Sequence, residues 1–126
     1  MNGRYAIAVG ALAMAVAVVL GAFGAHALKA RLAVDAMATW QTAVQYQAWH
    51  ALGLMGVGLW MERWLERRGL RVAAWLLVVG ILLFSGSLYA VALTGLRALG
   101  AITPIGGVAW IVAWVLVAVA ALRTSR

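Results

Sequence analysis

The sequence predicts an all-α integral membrane protein: four transmembrane helices in an antiparallel up-down bundle, forming one domain over residues 1–126. Three observations predict it. Of the 126 residues, 67% are hydrophobic and 10% charged, with a mean hydropathy of +1.01. A water-soluble domain is nearer half apolar and a quarter charged. The apolar residues fall into four charge-free runs, each longer than the ~20 residues an α-helix needs to cross ~30 Å of hydrocarbon. The linkers between the runs are short enough that each helix must pack antiparallel to the next. Strands of a membrane β-barrel would be about half as long and alternate in polarity, and backbone groups in lipid must bond within their own segment.

The first run, Tyr5 to Leu28, gives a helix over 5–27. Arg4, the apolar stretch and Ala25-His26-Ala27 imitate a secretory signal with a small-x-small cleavage site. The run is long for a signal core, so it is read as a retained helix. Lys29 to Asp35 breaks the pattern, with Asp35 as a candidate N-cap. The second run, Ala36 to Met61, gives a helix over 37–61 and ends at a charged stretch from Glu62 to Arg71, in which Gly69 suits a helix C-cap. The third run, Val72 to Leu96, gives a helix over 72–96. The break from Arg97 to Gly107 holds Gly100, Pro104 and the pair Gly106-Gly107, and within the fourth run, Ala98 to Leu122, the helix occupies 105–122.

The net charge of +7 sets ten Lys and Arg against Asp35, Glu62 and Glu66. In a soluble chain that balance would suggest nucleic acid. Here the cations sit at the ends of apolar runs, where topology and anionic headgroups account for them, so lipid and not nucleic acid is the expected partner. With an even number of crossings, one side carries both termini and Arg4, Arg63, Arg67, Arg68, Arg71, Arg123 and Arg126; the other carries Lys29, Arg31 and Arg97. The positive-inside rule then puts both termini in the cytoplasm of a multi-pass inner-membrane protein. Trp40, Trp60, Trp64 and Trp110 lie near predicted helix ends, where indoles anchor at the interface.

Chemistry-bearing residues are sparse and concentrate on the second helix. At 100° per residue, Thr39, Thr42, Tyr46, His50 and Gly53 share roughly 80° of arc, with Gln45 and Trp49 at one margin and Gln47 at the other. Val44, Ala48, Ala51 and Met55 occupy the opposite face, which is assigned to lipid. On the third helix Ser85 and Tyr89 share a face while Ser87 points elsewhere, and serines in such helices commonly bond the carbonyl one turn earlier. The candidate polar site is therefore Gln45, Tyr46, Gln47, His50, Ser85, Ser87 and Tyr89, joined by His26 at the end of the first helix. Its structural reading is interhelical bonding; its functional reading is a groove with His50 as a titratable group.

No catalytic residue is assigned. The chain has no cysteine, which excludes disulfides and thiolate chemistry, and the apolar runs hold no carboxylate to orient a histidine in a hydrolase triad. His26 and His50 should differ in depth by roughly 15 Å on regular helices, which disfavours a shared metal or haem, so neither a cofactor nor a metal is expected. Gly10, Ala13, Ala17, Gly21 and Gly24 form a small-residue stripe, and Gly53, Gly56 and Gly58 cluster on the second helix, permitting close backbone approach within one chain or between copies.

The runs Gly21-Ala22-Phe23-Gly24-Ala25-His26-Ala27-Leu28-Lys29 and Trp40-Gln41-Thr42-Ala43-Val44-Gln45-Tyr46-Gln47, then His50-Ala51-Leu52, Leu83-Phe84-Ser85-Gly86-Ser87-Leu88-Tyr89-Ala90 and Thr103-Pro104-Ile105-Gly106-Gly107, resemble the motifs of the YgdD/YwdK-type family of small bacterial membrane proteins. The resemblance covers nearly the whole chain. It implies a multi-helix inner-membrane protein of unknown function and assigns no catalytic residue. It also places His26, Tyr46, His50, Ser85, Ser87, Tyr89 and Pro104 at motif positions.

Three function classes follow. The first is a non-enzymatic accessory or oligomer-forming membrane module that packs against lipids, copies of itself or other membrane proteins. The second is a small-solute or ion conduit at a subunit interface, using His50 because no acidic residue lies at mid-membrane. The third is a membrane-embedded enzyme acting on a lipid or quinone-like substrate, with His50 as acid or base.

Overall fold

A computed structural model describes residues 1–64 and 68–124. Glu66, Arg67 and Arg126, which entered the charge reading, lie outside the described residues. Within them the chain is all-helical: α1 (Gly3–Phe23), α2 (Val34–Arg63), α3 (Arg68–Gly80), α4 (Gly86–Thr94) and α5 (Thr103–Thr124). Two π-helical turns extend this frame, Gly24–Leu28 at the end of α1 and Ile81–Ser85 between α3 and α4. The second joins α3 and α4 into one rod over 68–94, so the described residues form four rods. Among the described residues three stretches are long and apolar enough to cross a membrane: Gly3–Leu28, Arg68–Thr94 and Arg97–Arg123. The 30 residues of α2 would span about 45 Å, but Gln41, Gln45, Gln47 and His50 lower its hydropathy.

Each boundary has a local cause, and two differ from expectation. Asn2 caps α1, its Oδ1 accepting from the Tyr5 N–H at 2.9 Å. Ala33, not Asp35, stands at the N-cap of α2; Asp35 falls in the first turn, where a carboxylate favours the positive end of the helix dipole. Gly69 lies inside the start of α3, and α2 instead ends at an extended Trp64. Gly95 closes α4 in the left-handed region (φ 71°), a conformation that costs glycine little. Arg97–Ala101 makes a 3₁₀ turn, and α5 then begins with Pro104 in its first turn, where a missing N–H removes no helix bond.

The rods pack antiparallel in sequence. Gly3 meets Gly58 and Glu62, Gly10 meets Ala51 and Met55, and Gly24 meets Trp40, so α2 runs back along α1. Trp40 lies on Tyr89 and Tyr46 on Phe84, with ring centroids 4.7 and 4.8 Å apart, so the 68–94 rod reverses again. Gly80 meets Trp110 and Gly106 meets Phe84, which sets α5 antiparallel to that rod and parallel to α2. At the end of the pair, the Arg4 N–H donates to Glu62 at 3.1 Å, a carboxylate at the N-terminus of α1.

Helix α2 is therefore central. Leu54, Val57 and Met61 join Leu70, Leu77, Trp110 and Ala113 in the main core, and a smaller core gathers Leu28, Trp40 and Ala92 at the other end. The lipid face assigned to Val44, Ala48, Ala51 and Met55 is corrected: Ala51 is fully buried and, with Met55, packs on Gly10 of α1. The exposed stripe of α2 is instead Gln41, Gln45, Trp49, Leu52, Gly56 and Leu59. A neighbouring helix and a lipid tail are equally apolar, so hydropathy alone does not tell the two faces apart.

Candidate functional site

Gln47 ties three helices together. Its Nε2 donates to the Ala13 carbonyl of α1 at 2.8 Å, and its Oε1 accepts from the Tyr89 hydroxyl of α4 at 2.7 Å. The Ala13 carbonyl only accepts, so the amide nitrogen must face it, and the oxygen at the other end then accepts the phenol proton. Sequence periodicity put Gln47 at a margin, yet it is the most connected polar side chain of α2.

Four residues along, the His50 Nδ1 lies 2.6 Å from the Tyr46 carbonyl. A carbonyl cannot donate, so Nδ1 carries the proton and the neutral ring keeps its lone pair on Nε2. The imidazole stacks on Trp110 at 3.6 Å between centroids and 6° between planes, and Tyr46, Phe84 and Trp114 pack around the pair. His50 is 7% exposed. It sits in an aromatic stack, with its protonated nitrogen already committed.

Ser85 and Ser87 serve different neighbours. The fully buried Ser85 hydroxyl donates across to the Ala43 carbonyl of α2 at 2.8 Å, not to the preceding turn of its own helix as expected. The π turn at Ile81–Ser85 accompanies this contact. Ser87 donates to the Phe84 carbonyl at 2.9 Å and shares a hydrogen bond with the Thr103 hydroxyl at the start of α5. Thr39 and Thr42 bond carbonyls one turn back on α2.

Two of the candidates stand apart. Gln45 is exposed and its side chain has no hydrogen-bond partner among the described residues, and His26 is exposed on the π turn that follows α1. Because Gly24 packs on Trp40, the level of His26 lies near the start of α2, roughly 15 Å along the bundle from His50. No group of three or more metal-binding side chains occurs among the described residues.

Sequence reasoning missed the tryptophans. Trp40 and Trp110, assigned to the interface, are each 3% exposed. Both use the same device: the indole N–H donates to a backbone carbonyl, Leu20 at 2.9 Å for Trp40 and Leu77 at 3.1 Å for Trp110, while the ring lies over a glycine, Gly24 and Gly80 respectively. Buried indoles need such a partner. The available signal was a small residue opposite each tryptophan, which becomes visible only once the helices are paired.

These features define a small all-helical membrane protein whose inward polar groups link its helices. Its family model match is "Protein of unknown function (DUF423)", over residues 20–107, a span that takes in the Trp40–Gly24 contact and the eight candidate polar residues but ends before Trp110. The chain is 44% identical over 117 residues to the UPF0382 membrane protein YwdK of Bacillus subtilis (strain 168), covering 93% of this chain and 95% of that one. It is 47% identical to a UPF0382 membrane protein of Staphylococcus epidermidis, covering 93% and 94%. It is 37% identical to the UPF0382 inner membrane protein YgdD of Escherichia coli (strain K12), covering 100% and 95%. The chain belongs to this DUF423 family of membrane proteins, as its motifs suggested. No solved structure matches it.

Proposed function

We propose that the chain crosses the inner membrane four times, with both termini in the cytoplasm, and works as a non-enzymatic module that associates with copies of itself or with other membrane proteins. One observation carries the reading: among the described residues, no buried side-chain nitrogen or oxygen lacks a hydrogen-bond partner. Polar groups inside a bilayer are costly unless paired, and here Gln47, Ser85, Ser87 and Tyr89 are paired helix to helix. The conduit and enzyme readings both call on His50, and its place within the aromatic stack favours a packing role. The fourth crossing is supported by the position of α2 between α1 and the 68–94 rod, antiparallel to both.

Because the chain has no cysteine, single cysteines report topology directly. With an impermeant maleimide applied from the periplasmic side, Ala30→Cys should label, whereas Asn2→Cys and Gly69→Cys should label only after the inner membrane is opened. Labelling of Gly69→Cys from outside would overturn the arrangement. Purification in mild detergent should yield a defined oligomer or a stoichiometric companion; a monodisperse monomer without companions would overturn the association reading.

A further inference from the structure

Where α1 and α2 diverge near their connecting turn, they leave a half-open groove. One wall is the end of α1 and the π turn after it, with Gly21, Ala25 and Lys29 four residues apart; the other is α2, with Met37, Gln41 and Gln45 at the same spacing. Two lobes share Met37 and Gln41. The inner lobe, about 150 Å³, is floored by Trp40 and Val44 and is mostly apolar. The outer lobe, about 380 Å³, opens at Lys29 and is more polar.

Three features set this groove apart, the first two of them unexplained by packing. Gln41 and Gln45 make no side-chain hydrogen bond among the described residues, although they lie about two and three turns into a helix flanked by membrane-length rods. Amides facing lipid without a partner are unfavourable. Among the described residues Lys29 has no carboxylate within ion-pair distance, although Asp35 is close in sequence. The wall of α1 here is the π turn at Gly24–Leu28, an irregularity that often marks functional positions. The apolar floor of the inner lobe is thus flanked by two amides, Gln41 level with Trp40 and Gln45 level with Val44, and the cation stands at the mouth.

We infer that this groove binds an anionic phospholipid from the leaflet nearer the α1–α2 turn. An acyl chain lies over Trp40 and Val44 beside Gly21 and Ala25, the Gln41 amide, shared by the two lobes, donates to an ester oxygen, and the phosphate meets Lys29. The apolar floor lies inward and the complementary charge at the mouth, as tail and phosphate do in the lipid. Small side chains on α1 leave room for the chain. This goes beyond the module reading and is independent of it, since one protomer supplies the whole groove.

The test is native mass spectrometry of the full-length protein released from mixed micelles holding dioleoyl phosphatidylglycerol or dioleoyl phosphatidylcholine. Wild type should retain one phosphatidylglycerol in clear preference to phosphatidylcholine. Lys29→Gln should lower that preference about fivefold, the order expected for one cation near a headgroup, and Lys29→Arg should keep it. Ala25→Leu, at an exposed position, should reduce retention of both lipids by narrowing the slot, with helicity by circular dichroism unchanged. Equal retention of the two lipids by wild type, or a preference untouched by Lys29→Gln, would overturn the inference. So would efficient disulfide dimers of Gln41→Cys that added phosphatidylglycerol leaves undiminished, because the groove would then hold a second copy. A monomer that retains phosphatidylglycerol would leave this inference standing and remove only the oligomer reading.

Discussion

Gly80→Leu is expected to lower the melting temperature in detergent by about 10 °C. A Cβ at Gly80 would occupy the space of the Trp110 pyrrole edge, and its closest neighbour is the indole Nε1 itself. Trp110 cannot retreat, because its other side carries the His50 ring and Phe84 lies 4.7 Å away between centroids. Overpacking of this kind typically costs about 1–3 kcal/mol, and moving the indole also breaks its bond to the Leu77 carbonyl, adding about 1 kcal/mol. A total of roughly 3 kcal/mol in a chain of this size corresponds to the stated shift. Gly56→Leu is the matched control. It makes the same change in the middle of α2, where an added Cβ meets nothing within 4 Å, and the better helix propensity of leucine should leave stability equal or slightly raised. Equal losses at the two positions would mean that the Gly80–Trp110 contact is not formed.

Gly58→Leu should detach α1 from α2, with an effect of similar size expressed at a different place. Here the opposing atoms are backbone: the Gly3 carbonyl at 2.7 Å and the Ile7 N–H nitrogen at 2.9 Å from the position of the new Cβ. Backbone cannot rotate away as a side chain can, so α1 must move as a body. That displacement also takes the start of α1 from the Glu62 carboxylate that accepts from the Arg4 N–H. The expected result is amide hydrogen exchange across residues 3–13 faster by tenfold or more, the amount for a loss of about 1.4 kcal/mol, while the α3–α5 pair keeps its protection. Unchanged exchange in α1 would show that the two helices are not in glycine contact there.

Much of this architecture is legible in the sequence, and the parts that are not share a cause. Charge-free runs mark where long apolar helices form, and the described residues fold into four helical rods, three of them long and apolar enough to cross a membrane. Helix rotation is different. In water, apolar faces turn inward, but beside lipid an apolar face is equally suited to a neighbouring helix, so the face of α2 that packs on α1 reads the same as one that packs on acyl chains. Polar residues were the more faithful guide. Tyr46, Gln47 and His50 on α2 and Ser85, Ser87 and Tyr89 on the 68–94 rod all turn toward other helices, whereas Gln45 and His26 do not join them.

Tryptophan misled for a related reason. An indole has an apolar body and one N–H, and either an interface or a buried carbonyl opposite a glycine satisfies it. Trp40 and Trp110 took the second option, Trp64 the first-expected exposed place. The π turns left no sequence mark beyond Gly24 and Ser85, each of which is explained by a contact from another helix: the Trp40 ring in one case and the Ala43 carbonyl in the other.

The most direct measurement is a double-mutant cycle between Gln47 and Tyr89, because their bond joins the central helix to α4 while the same amide holds α1. With Gln47→Leu, Tyr89→Phe and the double variant unfolded reversibly in mild detergent, inward bonding predicts losses of about 1 kcal/mol each and a coupling energy of roughly 0.6–1.7 kcal/mol. Losses that simply add, or a Gln47→Leu protein as stable as wild type, would contradict the claim that these polar groups bind the helices to one another.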